Sequence, residues 1–191
     1  MRWIMRFDQG SQEMQMVADY IKEGANGYLR TQYESIAKIA ILTSVCLLLI
    51  YLFRDSTSSM VSRPVLAIMT AIAFLIGAFC SALAGYTGVW TSVRVNLRVA
   101  AAAAVYDYKN SFLLSFRGGA VSAILSAALC ILGISLLYVV SYMIFSVILG
   151  VPQNELPLLL GGYGFGASFV ALFMQLGGGI YTKVFTCYIC A

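Results

Sequence analysis

The sequence predicts an all-α protein: a polytopic transmembrane bundle of about four spanning helices, with no self-contained soluble domain. Three observations lead there. Of 191 residues, 61% are hydrophobic and only 10% charged, whereas a soluble domain carries about 25% charged residues. So little charge cannot dress a globule of this length in a solvated surface, and lipid is the natural solvent for the excess apolar area. The uncharged residues fall into four long runs between charged markers. Finally, the Lys and Arg residues gather on alternate connections, as they do in membrane proteins that obey the positive-inside bias.

The opening segment, 1–35, reads as an amphipathic lead-in. Arg2, Arg6 and Asp8 interrupt any apolar signal-peptide core. From about Gln12, Val17, Ile21, Tyr28, Leu29 and Ile36 fall near one helical face, with Asp19, Lys22, Glu23, Arg30 and Glu34 on the rest. The first span is placed at 36–53. The 15 uncharged residues between Lys38 and Arg54 are short for a crossing that needs roughly 20, so the helix starts near Ile36 and Lys38 snorkels to the interface. A polar loop follows and ends at Pro64, which suits the first turn of the next helix.

The second span, 64–93, comes from 30 uncharged residues between Arg63 and Arg94. The alanine run Ala100 to Ala104 favours helix, which lets this span run on beyond the membrane into a connection assigned to 94–117. The third span, 118–149, occupies most of the 37 uncharged residues between Arg117 and Glu155. Pro152 and Pro157 bracket the next loop, and the fourth span, 157–183, lies in the 27 uncharged residues before Lys183. A tail, 184–191, closes the chain. With four crossings, ten Lys and Arg fall on the side holding both chain ends and only Arg54 and Arg63 on the other. That side is expected to be cytosolic.

Composition narrows the chemistry. The absence of histidine removes imidazole bases, His-ligated zinc and Ser-His-Asp triads. The net charge of +4 reads as membrane-flanking basic residues; no basic run of the kind that grips nucleic acid is present. Cys46, Cys80 and Cys130 sit in apolar runs as small hydrophobes. Cys187 and Cys190 form one isolated pair, too little for a zinc site or a disulfide framework. No Asp, Glu, Lys or Arg lies in the middle of a span, so these helices offer no titrating relay across the bilayer. The signal that stands out is small residues. Ala73, Gly77, Ser81 and Gly85, spaced by four, line one stripe of the second span, an arrangement that lets helix backbones approach closely. The fourth span is denser still, with Gly161, Gly162, Gly164, Gly166, Gly177, Gly178 and Gly179 leading to Lys183. On glycine count alone, helix packing is favoured over a ligand site. The GxxxxGK[ST] phosphate-loop spacing is not met.

The string LPLLLGGYGFGASFVALFMQLGGGIYTK, Leu156 to Lys183, resembles the fifth transmembrane helix of the membrane-bound inorganic pyrophosphatases, the proton- or sodium-pumping family. ADYIKEGANGYLRTQYESIAKIA, from Ala18, resembles the lead-in to that family's second helix, and GAFCSALAGYTGVWTSVRVNLRVA, from Gly77, its third. The resemblance implies that the four spans are the second to fifth of a sixteen-helix architecture. It implies hydrolysis of magnesium-bound pyrophosphate coupled to proton transport out of the cytosol, a homodimer in a lipid bilayer, and Mg2+ as cofactor. It also implies an endomembrane location of vacuolar or Golgi type. Lys183 matches a substrate-facing lysine. Gln175 stands at a coupling-channel position where many members carry Arg, which resembles the potassium-independent branch of plant Golgi membranes. After Lys183 the sequence leaves the family pattern. Almost all the carboxylates that hold magnesium in the family lie beyond that point and have no counterpart here, so no catalytic or metal-binding residue is assigned. The expectation is a piece of such a pump that is inactive by itself. The alternative is a non-enzymatic membrane scaffold or small transporter made of packed helices.

Overall fold

The computed structural model describes residues 3–53, 63–144 and 156–190; the side chains of 63, 156–159 and 180–190 lie outside the description. A short 3-10 turn, Ile4–Arg6, precedes four α-helices: α1 (Gln12–Phe53), α2 (Arg63–Ala104), α3 (Tyr108–Tyr142) and α4 (Leu156–Cys190). Among the described residues there is no strand. All four helices are long and apolar enough to cross a membrane. At 1.5 Å per residue, the 42 residues of α1 and of α2 extend about 63 Å, twice the ~30 Å hydrocarbon core. From Gln12 on, the segments expected as lead-in and first span are thus one continuous helix. Between Arg94 and Arg117 only Val105, Tyr106 and Asp107 stand outside helix. The expected loop between Arg54 and Pro64, Pro152, and the end of the third span beyond residue 144 lie outside the described residues.

The helix ends follow from local chemistry. Ser11 caps α1: its hydroxyl accepts from the Met14 N–H at 3.4 Å, and the Gln15 side chain donates back to the Gly10 carbonyl at 3.0 Å. Gly10 itself has φ +77°, a conformation that costs glycine little. The α2–α3 turn is tighter. The Asp107 N–H bonds the Ala102 carbonyl and the Tyr106 N–H bonds the Ala103 carbonyl, each at 3.0 Å, which is the paired pattern of a Schellman ending. It requires a left-handed residue, and that residue is Tyr106, at φ 60°. Asp107 then caps α3, its carboxylate accepting from the Asn110 N–H at 3.2 Å and from the Asn110 side-chain amide at 2.6 Å. One aspartate closes two helices.

The chain divides into two compact units. The first comprises residues 1–31 and 83–128. Its core is Ile4, Val95 and Leu114, with Phe7, Val99 and Ala102 packed around it. The N-terminal turn is pinned by Trp3, which stacks edge-on with Phe7 at 4.6 Å and lies under the Arg117 guanidinium at 4.0 Å. Gly118 lets α3 meet α2, since a Cβ there would come within 2.7 Å of Val95 Cγ1. Arg98 is buried here, its Nη1 donating to the Arg94 carbonyl at 2.8 Å.

The second unit comprises residues 32–82 and 129–191. Two small clusters form its core: Ile36, Ala78 and Val170, and Ala73, Leu137 and Tyr163. Phe74, with no exposed surface, lies between Phe165 and Phe169 at 5.7 and 5.8 Å. Of the four helices, α2 buries most of its apolar window and α3 least. Side chains such as Ile41, Leu42, Phe53, Ile131 and Leu132 stand exposed. Water would penalise each such side chain by roughly 1.5–3 kcal/mol; a hydrocarbon solvent removes that penalty.

Candidate functional site

The glycine-dense helix α4 organises the second unit, and its glycines fall into two groups. Gly162 and Gly166 are one turn apart and face α2. A Cβ at Gly166 would overlap the Phe74 carbonyl, coming within 2.8 Å of its carbon and 3.1 Å of the Ala78 nitrogen. A Cβ at Gly162 would approach Thr70 at 3.1 Å. The contact is reciprocal. A Cβ at Gly77 on α2 would overlap the Tyr163 carbonyl, reaching 2.9 Å from its carbon and 3.1 Å from the Ala167 nitrogen. Residues 74–78 and 163–167 therefore meet backbone against backbone. Such an approach is closed to any residue with a side chain, and it is the small-residue packing that membrane helices use in place of a hydrophobic drive. At the second group, Gly161, Gly164, Gly178 and Gly179, an added methyl would find no atom of another described residue within 4 Å. Ser81 and Gly85 on α2, and Gly177 on α4, are half-buried.

Tyr163 is the centre of this arrangement, and residue patterning did not single it out. It is 2% exposed. Its hydroxyl donates to the Leu129 carbonyl of α3 at 3.1 Å, and its ring passes so close to Gly133 that a Cβ there would meet the phenol oxygen. Two polar side chains of α1 complete the unit. Gln32 donates to the Phe173 carbonyl of α4 at 3.1 Å. The Tyr33 hydroxyl donates to the Ala82 carbonyl of α2 at 2.7 Å. In an apolar solvent such bonds fix helix rotation, and interhelical bonds of this kind in membrane proteins contribute about 0.6 kcal/mol each. The four-residue spacing of Gly162 and Gly166 was the available signal for the α4 face; nothing in the sequence marked Gln32, Tyr33 or Tyr163.

Further along α4, Gln175 is exposed on the helix surface. The backbone at Lys183 is helical, within the run to Cys190, and its side chain lies outside the described residues. Among the described residues, no three His, Cys, Asp or Glu side chains gather to hold a metal ion. The described part of the chain therefore has no side-chain cage that would hold magnesium unaided. What it offers is a rigid, closely packed helix crossing.

The comparisons with known proteins agree with this architecture. Residues 1–185 match the family model described as Inorganic H+ pyrophosphatase. The chain is 46% identical over 188 residues to Pyrophosphate-energized membrane proton pump 3 of Arabidopsis thaliana. It is 38% identical over 184 residues to the K(+)-insensitive pyrophosphate-energized proton pump of Caldanaerobacter subterraneus subsp. tengcongensis. Identity to the K(+)-insensitive pyrophosphate-energized proton pump 2 of Moorella thermoacetica is 42% over 182 residues. These matches take in 94–95% of this chain but only 23–25% of the relatives, so the chain spans about a quarter of their length. With four apolar helices, a glycine-packed α2–α4 crossing and a family match over almost all its length, the chain belongs to the inorganic H+ pyrophosphatase family.

Proposed function

We propose that this chain is a structural portion of a pyrophosphate-energised membrane proton pump, supplying packed spans and the glycine-rich helix α4, and that it does not hydrolyse pyrophosphate by itself. The observation that carries the reading is the family match over residues 1–185 combined with the lack, among the described residues, of any carboxylate cluster able to hold metal. Pyrophosphate hydrolysis by metals needs oxygen ligands that neutralise the leaving group and orient the attacking water. In this reading Mg2+, pyrophosphate and protons are the cofactor, substrate and cargo of the complete pump, and the magnesium ligands come from outside the described residues. A homodimer is the assembly of that pump.

Several finer assignments belong to the same proposal. Lys183 belongs to the substrate site of the complete pump, and Gln175 to its coupling channel, in place of a charged residue. The K(+)-insensitive names of two relatives support a potassium-independent pump. The ten-to-two distribution of Lys and Arg supports cytosolic placement of both chain ends, and the endomembrane location rests on the family resemblance alone. The closing experiment is a phosphate-release assay on the purified chain in detergent with Mg2+ and pyrophosphate. No release above the buffer blank is expected; sustained, magnesium-dependent turnover would overturn the assignment of catalysis to the complete pump. Cysteine labelling from the two faces of sealed vesicles tests the orientation: a probe at Lys109→Cys should react from the cytosolic face only.

A further inference from the structure

Within the first unit, α1 and α2 border a cleft of about 200 Å3 that neither the glycine crossing nor the pump assignment uses. Two helices bring cations to it: Lys22 from α1 and Arg94 from α2, with Asn26, Tyr86 and Trp90 beside them. The Arg94 guanidinium lies 3.8 Å over the Trp90 ring and donates to the Trp90 carbonyl at 3.2 Å. Among the described residues it has no carboxylate within ion-pair distance. Lys22 is paired at 2.6 Å with Asp19, whose side chain is 72% exposed. Two cations against one solvated carboxylate leave the cleft with a positive balance.

The level of the cleft along α2 decides what would fill it. The 30 uncharged residues that begin at Pro64 end at Arg94, so the cleft lies at the close of the second apolar run. Tyr86 and Trp90 precede Arg94 within about two turns, where aromatic side chains settle at the headgroup level. Arg94 bends back over Trp90, so its charge sits about one turn (5.4 Å) nearer the apolar run than its own backbone. The amide of Asn26 adds donors, and cationic clefts between membrane helices at this depth are suited to lipid phosphate. We propose that this cleft holds the phosphate headgroup of an anionic phospholipid. Arg94 and Lys22 engage the phosphate, Asn26 donates to it, and Trp90 and Tyr86 bound it on the acyl side.

The test is native mass spectrometry of the purified full chain in mild detergent, with phosphatidic acid and phosphatidylcholine of identical acyl chains offered at equal concentration. Phosphatidic acid is expected to be retained at least about fivefold more, since one cation at the surface contributes about that factor. Arg94→Gln or, should that variant fail to purify as a folded species, Lys22→Gln should bring retention down to the phosphatidylcholine level. Lys109→Gln, at an exposed position on α3, should leave it unchanged. Equal retention of the two lipids, or preference surviving both substitutions, overturns the site. A loss as large in Lys109→Gln reduces it to diffuse surface charge. Millimolar inorganic phosphate that binds wild type and displaces the lipid completely assigns the cleft to a soluble ion instead.

Discussion

Replacing Gly166 by alanine tests the α2–α4 crossing most directly. The added methyl would overlap the Phe74 carbonyl and lie 2.8 and 3.1 Å from further backbone atoms. Backbone cannot swing aside as a side-chain tip can, so the two helices must separate. A gap of 0.5–1 Å forfeits a quarter to a half of each atom pair's ~0.1–0.2 kcal/mol well, and an interface of several tens of pairs then loses roughly 2 kcal/mol. That lies inside the 1–3 kcal/mol range of overpacking substitutions. Alanine's helix preference over glycine returns up to about 1 kcal/mol, which leaves a net loss of about 1–2 kcal/mol. Gly164, two residues away, provides the internal control. With nothing within 4 Å of its methyl position, Gly164→Ala keeps the propensity gain and should be neutral or stabilising by up to about 1 kcal/mol. The two variants should therefore differ by roughly 2 kcal/mol, about 30-fold in the unfolding equilibrium. Titration of the purified chain from mild detergent into sodium dodecyl sulfate, followed by circular dichroism, measures the difference. Equal midpoints for the two variants, or a lower midpoint for Gly164→Ala, would refute the backbone-contact argument.

Three further outcomes follow from the local geometry. Tyr163→Phe removes the bond to Leu129 while keeping the ring, and should cost about 0.5–1 kcal/mol in the same titration. Asp107→Ala deletes the cap of α3 and should destabilise by about 1 kcal/mol; amide exchange should rise first at Asn110 and Ser111, whose N–H groups bond Asp107. At Tyr106, held at φ 60°, substitution by glycine should be neutral or slightly stabilising, whereas Tyr106→Val should cost about 1 kcal/mol or more because a β-branched residue resists the left-handed region. Thermal unfolding of the two variants side by side checks the sign.

Much of the fold is legible in the sequence because solvent choice is written in composition. The four uncharged runs fall on the four long helices, Arg63 opens α2, and the alanine run before Val105 carries helix to the end of α2. The α2–α3 turn is not legible, since a left-handed helix ending is ordinarily signalled by glycine and Tyr106 stands in its place. Nor can the sequence show which glycines are in contact. Successive residues rotate about 100° around a helix axis, so Gly162 and Gly166 share the α2 side while Gly164 does not. Only a known neighbour distinguishes the two faces. Gln32 and Tyr33 look like the polar side of an amphipathic stretch, yet each bonds a carbonyl on another helix.

The reciprocal seating of Gly77 and Gly166 also limits how these helices can move. Each glycine receives a carbonyl of the opposite helix, so the pair interlocks like a dovetail. A piston stroke of one turn would bring Ala73 or Ser81 to the place of Gly77 and drive a side chain into the α4 backbone. Sliding by a turn is therefore opposed in both directions where residues 74–78 meet 163–167.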